Sequence, residues 1–257
     1  MPDRGRPVAG LRLALTTFTV LPVRGGRVDR SVAGVAMSIA PAVGAVLGLG
    51  EGAVALGLRA VGAPSLVLGA VVVGLDALLT RGLHLDGLAD TVDGLGSYAG
   101  RERALQIMKS PEVGPFGVAA LALTVLVQSA AIGALAGRPW FALLSCLVAA
   151  TAAGRLAAAW GCRRGVPAAR PGGLGALVAG TAGWAALAAG TLAVAAVALP
   201  GVPGRPWQGP LAVLLALVAA LAVLRHAVRR LGGITGDVLG ALVELTVTVA
   251  YVVLVLG

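Results

Sequence analysis

The chain has 257 residues, of which 58% are hydrophobic and only 12% charged, and its mean hydropathy is +0.94. That balance excludes a soluble globular domain, because apolar runs of 18 or more residues recur along most of the chain. The net charge of +9 would suggest nucleic acid in a soluble protein. In a membrane protein it is the ordinary surplus of basic residues on one side, and no nucleic-acid partner is expected.

Only helices or closed barrels satisfy every backbone polar group in hydrocarbon. The runs lack the alternation of barrel strands, so the expectation is an all-α polytopic bundle, one membrane-embedded domain over 1–257. The 39 glycines and abundant alanine suit close helix packing and allow self-association through small-residue faces. Cys146 and Cys162 have no metal or disulfide spacing and are read as packing residues. No cleaved signal is expected, since no small-residue cleavage site follows a proper apolar run.

In chain order, residues 1–30 carry Arg4, Arg6, Arg12, Arg24, Arg27 and Arg30 around an apolar piece from Leu11 to Val23. It is too short to span comfortably and reads as an interfacial or re-entrant helix. Seven spans are then expected at 33–58, 64–83, 116–136, 140–161, 175–199, 210–228 and 237–256. With the N-terminus inside, 17 of the 20 basic residues fall on the inner side, leaving Arg59, Arg138 and Arg205 outside. This places the polar loops on the cytoplasmic face of a multi-pass inner-membrane protein. Glu51, near the outer end of the first span, is read as snorkelling to the interface beside Arg59.

The expected loop 84–115 opens with the densest chemistry in the chain. Three of its 11 acids, Asp86, Asp90 and Asp93, lie at i, i+4 and i+7, so a helix would carry them on one face. No Lys or Arg lies between Arg81 and Arg101 to offset them. A hard cation such as Mg²⁺ is therefore the expected partner. Arg101, Arg103 and Lys109 follow on a short amphipathic helix. They suit a phosphate-bearing substrate, although positive-inside charge explains them equally.

Two later loops add to this set. Gly161 to Gly175 is rich in Gly, Pro and Arg, including Arg170; its backbone and arginines suit phosphate, but it matches no P-loop. After Arg229 and Arg230, the run Gly232-Gly233-Ile234-Thr235-Gly236-Asp237-Val238-Leu239-Gly240-Ala241 leads to Glu244. Asp237 and Glu244 are the only acids after Glu112 and share a helix face with Gly240. They are read as holding a metal or positioning an attacking hydroxyl.

These residues resemble the cobalamin synthase (adenosylcobinamide-GDP ribazoletransferase) family over most of the chain. The resemblance rests on Phe18-Thr19-Val20-Leu21-Pro22-Val23, on Gly82-Leu83-His84-Leu85-Asp86-Gly87-Leu88-Ala89-Asp90-Thr91-Val92-Asp93-Gly94, and on Arg101-Glu102-Arg103 through Ile107-Met108-Lys109. It continues through Gly114-Pro115-Phe116-Gly117-Val118, Ala169-Arg170-Pro171-Gly172-Gly173-Leu174-Gly175 and the Gly232–Ala241 run. One departure is Thr19-Val20, where the family usually has a Thr-Arg pair.

The resemblance implies a Mg²⁺-dependent transferase that joins adenosylcobinamide-GDP to α-ribazole, or its 5′-phosphate, and releases GMP. It would carry metal ligation to Asp86, Asp90, Asp93 and Asp237, and phosphate binding to Arg101, Arg103, Lys109 and Arg170. Asp86 would be catalytic, and His84 or Glu244 would accept the hydroxyl proton. On a continuous helix His84 lies roughly 160° from the aspartate face, so that role requires a non-helical start.

Two alternatives are weaker. A CDP-alcohol phosphatidyltransferase would need an Arg after Ala89 and a later aspartate pair, and both are absent. An ion-coupled transporter using Glu51, Asp86, Asp90 and Asp237 would need acids near the midplane and an internal repeat. Single-cysteine labelling is expected to find residues 84–114 accessible from the cytoplasmic side; labelling only from the outside would overturn this topology.

Overall fold

The structure, a computed structural model, describes residues 5–23, 26 and 28–256. Arg4, Arg24 and Arg27, counted above among the inner basic residues, lie outside the described residues. Among the described residues there are helices and no strands: α1 (Arg6–Phe18), α2 (Arg30–Ala60), α3 (Ser65–Leu79), α4 (Leu83–Gly96), α5 (Arg101–Ile107) and α6 (Pro115–Leu135). The chain continues with α7 (Trp140–Gly161), α8 (Gly173–Val178), α9 (Trp184–Ala198), α10 (Gln208–Leu231) and α11 (Gly236–Val255).

Among the described residues, six helices are long and apolar enough to cross a membrane: α2, α6, α7, α9 with its short 3₁₀ extension, α10 and α11. The Ala-rich α7 is the central one, buried on nearly all sides against α2, α9, α10 and α11. Outer faces of α6, α9 and α10 carry exposed Leu123, Leu192 and Val218, as expected for surfaces that meet lipid. Trp140, Trp184 and Trp207 are exposed at span ends, where amphipathic indoles anchor at the interface.

The turn from α3 into α4 decides where the aspartates go. Arg81 (φ 58°) and Gly82 (φ 66°) both take left-handed conformations, which halt α3 and bend the chain by 91°. Both ends of α4 then lie at one end of the bundle. Its start packs on the first turns of α11. Its far end reaches the N-terminus of α6, where Asp93 accepts hydrogen bonds from the Gly114 and Gly117 N–H groups (2.7 and 2.9 Å). α4 is therefore a bar turned away from α3, and the two together are long and apolar enough for one broken span or a re-entrant loop.

Several expected boundaries shift. The N-terminal helix covers Arg6–Phe18 rather than Leu11–Val23, starting around Pro7, a residue suited to a helix's first turn. The loop expected at 84–115 is largely helical, as α4 and α5. The fifth span begins at Trp184 rather than 175, because Gly180 turns at φ 72° and the backbone of Ala182 bonds to the Cys162 carbonyl. Residues 173–178 form the separate α8.

Glycines allow α4 to sit directly on α11. A methyl group added at Gly87 would come within 2.7 Å of the Asp237 carbonyl oxygen, and one at Gly240 within 3.2 Å of the His84 backbone. Gly87→Leu is therefore expected to lower the thermal stability of the detergent-purified protein by about 1–3 kcal/mol through overpacking. Gly57→Ala, at an exposed helical position with open space around it, is expected to be neutral or to stabilise by up to about 1 kcal/mol. Equal melting of Gly87→Leu and wild type would show that the crossing is not close.

Candidate active site

The α4–α11 crossing brings together carboxylates that are 147 or more positions apart in sequence. Asp86 is exposed and Asp90 half-buried on α4, and both lie in the electrostatic field of Asp237 in the first turn of α11. Asp237 starts α11 beside the Thr235 cap, whose hydroxyl accepts from the Val238 N–H (3.2 Å). Its carboxylate faces Arg170 at 3.7 Å.

Arg170 is held there by paired loops. The Ala169 N–H donates to the Ile234 carbonyl and the Ile234 N–H to the Pro167 carbonyl, each at 2.9 Å. Among the described residues, no hydrogen-bond donor reaches the carboxylates of Asp86 or Asp90. Burial, then the charges of Asp86, Asp237 and Asp93, push the Asp90 carboxyl up to about 6, against the pull of Arg170. Such an assembly of like charges favours a proton or a cation.

Asp93 is placed differently. It shares the helix face, but its two oxygens serve N–H groups at the start of α6 that have no partner within the helix. A carboxylate in that position ties α4 to α6 and complements the helix dipole.

A cavity of 240 Å³ opens beside the aspartates, lined by Phe18, His84, Asp86, Leu174, Asp237 and Gly240. The four predicted phosphate-binding residues divide between two grooves. Arg101 and Arg170 share one of 640 Å³ with Arg30 and residues 165–169. Arg103 and Lys109 line another, of 590 Å³, with Asp93 and Glu112. Arg101 also donates to the Ala169 carbonyl (3.1 Å) and lies over Gly232, joining α5 to both site loops.

His84 and Glu244 go elsewhere. The helix includes His84, so its ring projects away from the aspartate face. One ligand atom each from His84, Asp76 and Glu244 lies within 4.8 Å of the others. Gln128 donates to Glu244 (3.0 Å), and Arg155 donates to Asp76 at 2.9 Å. Glu51 belongs to this group: it is 1% exposed and within hydrogen-bonding reach of Asp76, not snorkelling beside Arg59. Arg59 instead donates to the Ala136 and Arg138 carbonyls. Arg155, one of the 17 basic residues counted to the inner side, is fully buried within α7.

Asp76, Arg155 and Gln128 were missed by the reading of the sequence. Their signal was present, for Asp76 is the sole charge in Ser65–Leu79 and Arg155 the sole charge in Trp140–Gly161.

Comparison with known proteins agrees over nearly the whole chain. The family model described as cobalamin-5-phosphate synthase matches residues 10–255. A protein of Frankia casuarinae named adenosylcobinamide-GDP ribazoletransferase is 44% identical, over 95% of this chain and 93% of its own. Proteins of the same name from a Nocardioides species and from Corynebacterium efficiens are 42% and 38% identical. They cover 91% and 95% of this chain and 93% and 90% of their own. No solved structure matches the chain. Taken with the matched extent and these identities, the chain belongs to the cobalamin-5-phosphate synthase family.

Proposed function

We propose that this enzyme joins adenosylcobinamide-GDP to α-ribazole, or its 5′-phosphate, with release of GMP, on the cytoplasmic face of the inner membrane. The observation that carries the reading is the meeting of Asp86, Asp90 and Asp237 with Arg170 at one bundle end, beside a basic groove. The names of the relatives specify the same donor and acceptor classes.

In its chemistry the donor set suits Mg²⁺: three carboxylates, two of them without hydrogen-bond donors among the described residues, although among those residues only Asp76, His84 and Glu244 bring three ligand atoms within 4.8 Å of one another. Asp86, Asp90 and Asp237 would hold the ion, and Asp93 is reserved for α6. When bound, Mg²⁺ would neutralise pyrophosphate charge and make GMP a better leaving group.

The protein's part is chiefly positioning and charge neutralisation, as in other phosphoryl transfers. Arg170 and Arg101 face the same groove and would grip phosphate oxygens, with Arg30 at its far wall. A ribose hydroxyl attacks the phosphorus on the aminopropanol side of the pyrophosphate. The bond from that phosphorus to the bridging oxygen breaks, and GMP departs with the electron pair. Asp86, exposed and lining the cavity, would take the hydroxyl proton on the oxygen not committed to the ion. Arg103 and Lys109, in their separate groove, would meet a more distant part of the large corrinoid donor or its nucleotide.

The test is GMP release from purified protein supplied with adenosylcobinamide-GDP, Mg²⁺ and, in separate assays, α-ribazole or its 5′-phosphate. Wild type should turn over, and Asp86→Ala and Asp237→Ala should each lose about 100-fold or more, the scale of removing a transition-state contact. A well-folded wild type that releases no GMP with either acceptor would refute the activity. Full activity in Asp237→Ala would separate α11 from the site.

A further inference from the structure

Beneath the aspartate site lies a second polar centre that the phosphoryl transfer does not use. Asp76 comes from α3, His84 from α4 and Glu244 from α11, so three separate elements converge on it. His84 and Glu244 are 6% and 4% exposed. Among the described residues, two further observations point to a ligand. The His84 Nδ1 atom is buried with no hydrogen-bond partner, although a buried imidazole nitrogen normally has one. Glu51, 1% exposed, reaches the cluster from α2 through Asp76 and keeps an unpartnered Oε1.

The charges give the same direction. Glu51, Asp76 and Glu244 supply three carboxylates, and Arg155, bonded to Asp76, is the cation among them. A divalent ion that displaces the proton shared by Glu51 and Asp76 brings such a set to neutrality, the condition a low-dielectric bundle interior favours.

We propose that Asp76, His84 and Glu244 form a second divalent-cation site beneath the catalytic cavity, flanked by Glu51. One imidazole among carboxylates selects the Mn²⁺, Fe²⁺, Co²⁺ and Zn²⁺ class over Mg²⁺, which takes oxygen ligands and holds its water. Entry is through the 240 Å³ cavity, which His84 lines together with Asp86 and Asp237. The ion would pin α3 and α4 to α11, fixing the bar that carries the aspartates. This goes beyond the reading of Asp86, Asp90 and Asp237 as the Mg²⁺ site and stands or falls separately from it.

The test uses the tag-free full chain in detergent, loaded with Mn²⁺ and examined by electron spin-echo envelope modulation for coupling to nitrogen. The chain has two histidines, and His226 lies on α10. Nitrogen coupling is expected in wild type, in His226→Gln and in Asp86→Asn, and is lost in His84→Gln. Glu244→Gln is expected to weaken the nitrogen-coupled Mn²⁺ about tenfold or more while keeping the coupling at saturation. No nitrogen coupling in folded wild type would overturn the site, as would coupling that survives His84→Gln or disappears in His226→Gln. Loss of GMP release in Asp86→Asn with retained nitrogen coupling would show the two sites to be distinct.

Discussion

The close approach of α4 to α11 is the contact on which the rest depends. Two glycines, Gly87 and Gly240, remove the side chains that would hold the helices apart. As a result, the polar face of α4 comes beside the first turn of α11, and Asp86 and Asp90 meet Asp237 across a long stretch of sequence. The same contact sends His84 to the opposite side of α4, down towards Asp76 and Glu244. Small residues commonly serve this purpose in membrane bundles, where lipid competes equally well for apolar surface and packing must provide the attraction.

A second constraint is the treatment of charge. At the bundle end the carboxylates are only partly buried and receive help from Arg170 and the facing groove. Further in, a different economy holds. Arg155 and Asp76 form a direct pair, and Gln128 and Thr248 cluster around Glu244. A buried pair of this kind adds little net stability compared with apolar packing, but removing one partner leaves an uncompensated charge that costs roughly 3–5 kcal/mol. The pair ties α3 to α7, and α4 follows directly from α3.

Much of this was legible in the chain itself. Length and hydropathy give the helical class, and Asp86-Gly87-Leu88-Ala89-Asp90 marks the chemistry because acids are otherwise scarce. Periodicity puts Asp86, Asp90 and Asp93 on one face, as observed, but cannot say that the α6 N-terminus claims Asp93, a contact between elements. The fate of His84 turned on whether the helix includes it, which the left-handed turn at Arg81 and Gly82 decides. Glu51 was misread because a charge near a span end usually snorkels, and Arg155 was passed over as one of many inner-side basic residues. Their true positions follow from which helix faces meet, information absent from local pattern. The expected set Arg101, Arg103, Lys109 and Arg170 likewise splits between two grooves only once α5 is folded against the loops.

The central claim is that α4 and α11 build one cation site. It is tested most directly by a double-mutant cycle on Mg²⁺ affinity, measured by calorimetry for wild type, Asp90→Asn, Asp237→Asn and the double variant. If both carboxylates hold one ion, each single change weakens binding about 10-fold or more, and the double variant falls well short of their combined effect. Free energies that simply add, or an Asp237→Asn variant that binds Mg²⁺ as wild type does, would contradict a shared site.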